Sequence, residues 1–314
     1  MNHPDNEGKP KVPSDELWKD QETTLTLWNT PLMENEEIVE LPLDQRTVTR
    51  RYTDKAIEFI EANKDEPFFV YLPHSMPHIP LYVPDDVYDP DPQNAYTNTI
   101  ENIDAEVGRL MDKIRDLKLS DNTYVIYTTD NGPWLKFNNH GGPAGPLREG
   151  KGTTFEGGQR VPCVIWGPGR ISAGSECDKL AGTIDLLPTI AALTGSAVPE
   201  GRKIDGVDIS PLMSGDGDSP REEFVYYSSR GVLEGLRQGK WKILVKKGQA
   251  SKGKKKGKET PSSEVMLFDL STDMGEKNNL ASSNPEIVDA LQKRMAEVDA
   301  EIEANAREPQ MKEG

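Results

Sequence analysis

The chain has 314 residues, a formal net charge of −16 and a hydrophobic fraction of 35%. The acidic balance argues against a protein held on nucleic acid through phosphate contacts, although a local basic site can still receive an anionic ligand. No run of about 18 apolar residues is present, so no transmembrane helix is expected, and two isolated cysteines, Cys163 and Cys177, without a CxxC pair give no support to a zinc-ribbon or thioredoxin reading.

Residues 1–46 are polar and weakly patterned, and read as loop with one short strand near Glu37–Leu41. The first twenty lack an apolar signal core and resemble a surface loop in mid-fold. Val48, Tyr52, Ala56, Phe59 and Ile60 recur at helical spacing and predict a helix over Thr47–Asn63, which Pro67 ends. Phe68–Leu72 is a continuous apolar run, the pattern of a strand buried on both faces in a parallel sheet. Pro73–Pro80 is then a loop at its carboxyl end, holding His74 and His78. The Asp85-Asp86 pair that follows is bracketed by prolines and reads as a solvated loop rather than a metal site. A second helix is expected over Tyr96–Leu117, with Ile100, Ile103, Val107, Leu110, Met111 and Ile114 as its buried stripe. Tyr124–Thr129 is the next apolar run, and the helix before it is long enough for a parallel crossover to Phe68–Leu72. The expected class is therefore α/β, doubly wound.

Val161–Trp166 is a further apolar run with Cys163 as a buried small residue; a disulfide to Cys177 is not required. Thr183–Leu193 predicts a helix closed near Thr194-Gly195. Beyond about residue 221 the pattern changes to short strands, Phe224–Ser228, Val232–Arg237, Trp241–Val245 and Val265–Leu270, with Gly-containing turns. This divides the chain into residues 1–220 and a small antiparallel-sheet subdomain, 221–314. A Lys-rich insert, with seven lysines between Lys246 and Lys258, reads as a hairpin loop rather than a polyanion-binding arm. Asn284 and Pro285 begin a last helix, with Ile287, Val288, Leu291, Met295 and Val298 along one face.

The chemistry concentrates between Tyr124 and Arg160. Asp130 and Asn131 are hard oxygen ligands at a strand's carboxyl end, suited to calcium or magnesium, although Asp-Asn-Gly is also common turn chemistry. Lys151 sits inside Gly150-Lys151-Gly152-Thr153-Thr154-Phe155-Glu156-Gly157-Gly158, where glycines allow close approach of an anion and the ammonium supplies a point charge. Gly145–Gly152 nearly matches the nucleotide loop GxxxxGK[ST], but Gly152 stands where the magnesium-binding hydroxyl belongs. His78, in the strand-end loop, is a candidate acid–base group or oxyanion donor, and His140 a candidate for the same cleft. No GxSxG elbow supplies a nucleophile.

Together these stretches resemble the sulfatase family of the alkaline-phosphatase-like superfamily: Thr128–Pro162 (TTDNG…GPLREGKGTTFEGGQRVP), FFVYLPHSMPHIP, GTIDLLPTIAALTG, DGVDISPLM and, in the small sheet, LRQGKWKIL. The resemblance implies an alkaline-phosphatase-like α/β fold, a mixed and mostly parallel sheet flanked by helices, with a small C-terminal antiparallel sheet and packed helix. It implies hydrolysis of sulfate esters with calcium (magnesium being an alternative) and a formylglycine made from cysteine or serine. It assigns Asp130 and Asn131 as metal ligands, Lys151 as the sulfate-holding lysine and His78 as the histidine at the sulfate and leaving-group oxygen. His140 and Arg148 fall in variable loops and are assigned only substrate contacts. The formylglycine signature, Cys or Ser followed by x-Pro-x-Arg, is absent, as are the family's N-terminal acidic pair and its Lys-x-His segment. The resemblance is therefore to the C-terminal portion of a sulfatase, with a missing N-terminal segment or subunit as the expected partner and little turnover from the chain alone. The ligand implied is a sulfated small molecule or glycan, and the location extracytoplasmic. The alternatives are a phosphohydrolase or phosphodiesterase of the same superfamily, and a non-catalytic fragment binding anionic glycans or a partner chain.

Overall fold

The structure, a computed structural model, describes residues 13–22, 29–215, 217–246 and 264–306. The Lys-rich insert and both extreme termini lie outside these residues. The chain clusters into two compact units, Met1–Thr123 with Pro133–Pro143, and Tyr124–Gly132 with Ala144–Gly314.

The first unit opens with helix α1 (Ser14–Lys19), inside a stretch read from sequence as loop. Its anchor is Trp18, 1% exposed, which packs with Leu81, Val83 and Ala95. The indole Nε1 donates to the Asp89 carbonyl at 2.8 Å, and the Tyr88 hydroxyl donates to the Trp18 carbonyl at 2.8 Å. Strands β1 (Leu32–Glu34) and β2 (Glu37–Glu40) form a hairpin, the second at the position expected. Helix α2 (Val48–Ala62) matches its predicted span. It buries Val48, Ala56 and Ile60, whereas Phe59 stays exposed.

Helix α3 (Ala95–Asp116) also forms where predicted. Ile103 and Ile114 are buried as expected, but Asn98, Thr99, Asn102 and Glu106 share the buried face. Ion pairs link α2 to α3: Arg50–Glu106 at 3.3 Å, Asp54–Arg109 at 2.6 Å and Glu61–Lys113 at 2.7 Å. The exposed pairs contribute little individually. Glu106 is buried and also meets Arg109, so its charge is matched within the helix pair.

One expectation fails here. Phe68–Leu72 is not in a strand, and Tyr71 is 79% exposed. Among the described residues no neighbouring strand completes its ladder. Its predicted partner, β3 (Val125–Thr128) in the second unit, pairs antiparallel with β4 (Cys163–Trp166) instead, Ile126 facing Ile165. That pair is half-buried rather than covered on both faces, with Val164 63% exposed. Cys163 is correspondingly exposed, not buried, and both thiols are free. Three apolar runs of similar composition cannot reveal which two will pair, because pairing is settled by distant packing.

The remainder of the second unit follows the sequence closely. Helix α4 (Glu156–Gln159) is one short turn. Helix α5 (Leu186–Thr194) closes on Gly195 in the left-handed region, φ 67°. Just before it, Asp185 is fully buried and accepts from the amides of Gly182 and Val207, each at 2.8 Å. Arg221 completes its shell with a fork, Nε donating at 2.7 Å. After helix α6 (Ser210–Met213), strands β5 (Glu223–Tyr227), β6 (Leu233–Gln238), β7 (Trp241–Lys246) and β8 (Glu264–Asp269) form an antiparallel meander in sequence order. Helix α7 (Pro285–Asn305) covers one face of it, Leu291 and Met295 packing on Leu236, Ile243 and Leu267. Asn284 precedes α7 but does not cap it; its Nδ2 donates back to the Leu280 carbonyl at 2.9 Å.

Candidate functional site

At the end of β3 the chain turns through Thr129, Asp130, Asn131 and Gly132. The Gly132 amide donates to the Gly158 carbonyl at 3.2 Å. The two segments touch so closely that a Cβ on Gly132 would overlap the Gly157 carbonyl oxygen, and one on Gly157 would overlap the carbonyls of Arg148 and Glu149. Glycine is required at both positions by backbone approach.

The loop is tied within itself as well. The Thr153 amide and hydroxyl both donate to the Gly150 carbonyl, at 3.2 and 2.9 Å. The amides of Gly157 and Gly158 donate to the carbonyls of Arg148 and Phe155, each at 2.9 Å. Lys151 is half-buried within this tied loop, and Asp130 is exposed. The Asn131 amide nitrogen donates to the Gly132 carbonyl at 2.9 Å, which leaves Oδ1 as the acceptor of that side chain.

Asp130 and Asn131 thus offer a carboxylate and an amide oxygen, the donor chemistry of a hard cation. Calcium takes about 6–8 oxygens, and among the described residues no cluster of three or more His, Cys, Asp or Glu exists to supply them. The pair fits one side of a coordination shell. The Asp85-Asp86 alternative is settled as a surface loop, since both side chains are exposed and engage Arg46 and Arg50.

Phe155, next along, lies in a core cluster with Leu244, Met266, Phe268 and Leu270. Arg148 and Lys246 both reach its ring, at 3.9 and 4.0 Å from the centroid. Arg148 also donates to the Glu276 carbonyl at 2.8 Å. That guanidinium thus packs on an aromatic ring and bonds backbone through Nη1.

Sequence reading missed the polar cluster beneath this loop. Lys242 is 0% exposed, and its ammonium lies 2.9 Å from Glu156 Oε1 and 2.9 Å from Glu276 Oε1. The first contact is a hydrogen bond; the second is an ion pair by distance without a well-directed one. The Tyr226 hydroxyl donates to Glu156 Oε1 at 3.0 Å, and the Glu156 amide donates to Glu276 Oε2 at 2.6 Å. One signal was present: a lysine inside the strand WKILV must find acids if it faces inward.

Burial pushes the Glu276 carboxyl above the usual glutamate range, with the Lys242 charge opposing. A carboxyl raised in the folded state holds its proton longer there than in the unfolded chain, so stability declines as pH rises through that interval. Wild type is expected to lose thermal stability from this group as pH increases upward from about 4.3. Glu276→Gln removes that decline, and melting curves between acid and neutral pH provide the check. Parallel profiles for the two proteins contradict it.

The first unit holds the histidines. His78 is exposed, its Nδ1 donates to the Ile79 carbonyl at 2.8 Å, and its ring stands 5.9 Å from that of Trp134. With Nδ1 engaged, Nε2 is the nitrogen presented outward. His140 is different: it is 2% exposed and its Nε2 meets Asp15 Oδ1 at 2.9 Å. Its ring nitrogen is thus engaged by a partner within the same unit. His74 also lies inward, and burial lowers its basicity.

A strand-end pair of hard oxygen donors is joined through glycine backbone to the loop of a lysine, the class of residues suited to an anionic group beside a cation. Comparison with known proteins sharpens that class. The sulfatase family model matches residues 3–196, and a model of the C-terminal region of aryl-sulfatase matches residues 219–314. Human arylsulfatase A is 37% identical over 258 residues, which are 77% of this chain and 50% of that protein. N-acetylgalactosamine-6-sulfatase of Canis lupus familiaris is 32% identical over 295 residues, 84% of this chain and 56% of that protein. A solved structure from work on glycosaminoglycan metabolism by Bacteroides thetaiotaomicron superposes with a TM-score of 0.70 at 27% identity, covering 81% of this chain and 55% of that one. The chain belongs to the sulfatase family, with its alkaline-phosphatase-like α/β fold. It spans about half the length of the curated relatives it matches.

Proposed function

We propose that this chain carries the sulfate-holding side and part of the metal-holding side of a sulfuric ester hydrolase. The observation behind the reading is the backbone junction of Gly132 with Gly157 and Gly158, which joins the Asp130-Asn131 turn to the loop of Lys151. Asp130 and Asn131 would hold calcium, which supplies Lewis-acid polarisation of sulfate oxygens when bound. Lys151 stabilises the negative charge on those oxygens. Within the first unit, His78 is the candidate acid–base group for the leaving-group oxygen, its Nε2 presented outward.

The attacking group is not among these residues. Cys163 and Cys177 lack the x-Pro-x-Arg that follows the modified residue in the family, and no serine has it. The formylglycine of a complete site would come from an N-terminal segment or partner chain, and the 314 residues alone turn over sulfate esters slowly or not at all. Support for a sulfated small molecule or glycan as ligand comes from the names of the relatives, and the same relatives favour sulfate over phosphate esters. No helix among the described residues is long and apolar enough to cross a membrane, and we place the protein outside the cytoplasm by its family. A division near residue 220 is supported by the two family models, which end at 196 and begin at 219.

Calorimetric titration of calcium into the purified chain tests the reading. Asp130→Ala is expected to weaken calcium about tenfold or more, because it removes the charged ligand. Equal affinity in the two proteins would remove Asp130 from the site. Sustained metal-dependent hydrolysis of an aryl sulfate by the chain alone would refute an external attacking group.

A further inference from the structure

The four-stranded sheet has two faces, and alternation assigns the residues of each. Ile243, Leu236 and Leu267 face α7. Lys242 and Leu244 on β7, Tyr226 on β5, and Met266 and Phe268 on β8 point the other way. What covers that second face is the loop of Lys151. Phe155 enters the apolar cluster, Glu156 meets Lys242 and Tyr226, and Thr154 donates to Glu234 of β6 at 2.9 Å. All four strands therefore hold three consecutive loop residues. Glu276, beyond β8, closes the arrangement by accepting the Glu156 amide.

Phe155 alone would hold the loop on the sheet, but apolar contact is non-directional. A buried lysine between two glutamates adds little net stability over an apolar equivalent; what it supplies is a unique arrangement. From Glu156 the path to the site is short. Gly157 and Gly158 follow directly, and the Gly158 carbonyl receives the Gly132 amide beside Asn131.

We infer that Lys242, with Glu156, Glu276 and Tyr226, is a positioning cluster through which the C-terminal sheet sets the place of Lys151 and of the Asp130-Asn131 turn. The inference rests on the reading of those three residues as anion- and cation-holding groups. None of the cluster touches the ligand; each acts through the backbone of residues 154–158.

Amide hydrogen exchange on the full 314-residue chain supplies the test. Gly132, Gly157 and Gly158 are the reporters, since the Gly132 amide makes the junction and the other two close the loop it joins. Lys242→Met is expected to speed their exchange about tenfold or more beyond the general rise that its loss of stability produces at the amides of Leu236, Ile243 and Leu267. Tyr226→Phe, which removes one hydroxyl and keeps the ring, gives a smaller rise at the same three glycines and remains informative if Lys242→Met does not fold. Affinities for calcium and for inorganic sulfate fall in step with the loosening. The inference is overturned if the glycine amides merely track the sheet, or if they loosen while both affinities hold. A wild-type chain that binds neither ion counts against the site reading itself, and the exchange pattern then decides alone whether the cluster places the loop.

Discussion

Lys242→Met is expected to lower stability by about 3–5 kcal/mol, because it leaves two carboxylates facing each other in the interior without their cation. Lys242, Glu156 and Glu276 are each at most 2% exposed, so water cannot replace the ammonium. The methionine matches the stem in length and restores packing, which isolates loss of charge as the cause. Part of the penalty is relieved by protonation of Glu276, whose carboxyl burial already favours the neutral form. The loss is therefore greater at neutral than at mildly acid pH. A triple variant, Lys242→Met with Glu156→Gln and Glu276→Gln, removes both stranded charges and recovers most of the stability. Urea denaturation of the three proteins at two pH values measures this. A loss below about 1 kcal/mol for Lys242→Met would show that the cluster is solvated in the folded chain.

Lys151→Ala is expected to reduce kcat/KM for an aryl sulfate by about 10²–10³-fold in a preparation in which the attacking group is present. In the proposed site the ammonium lies beside the sulfate, and charge on sulfate oxygens grows as the ester bond breaks. Removing the cation therefore penalises the transition state more than the bound ester, and the loss falls mainly on kcat. Lys151→Arg restores the charge but not its compact shape, and rescues only in part. A reduction under about fivefold would take Lys151 out of the sulfate site.

Much of the fold was legible because the determining patterns are local. The helix at Val48–Ala62 follows from apolar residues three and four apart, and the β5–β8 meander from short apolar runs separated by turns at Gly231 and Gly239. The motif around Asp130, Asn131 and Lys151 was equally visible, since its glycines mark close backbone approach whatever lies beyond. The fates of His140 and Arg148 were not. His140 is claimed by Asp15, 125 positions away, and Arg148 by Glu276, 128 positions away. A polar residue in a glycine-rich loop looks the same in sequence whether it points to a ligand or into a core.

The sequence by itself determined the family and the elements with a strong local period, and it singled out Asp130, Asn131 and Lys151 for the proposed half-site. The tertiary structure alone decided which apolar runs pair: β3 with β4, antiparallel, and Phe68–Leu72 with no strand among the described residues. It alone decided that Lys242 meets Glu156 across 86 positions of chain. The physical reason is the same in each case. Helix period and turn chemistry are set by neighbours along the chain, whereas strand pairing and the neutralisation of buried charge depend on which distant segments exclude water together.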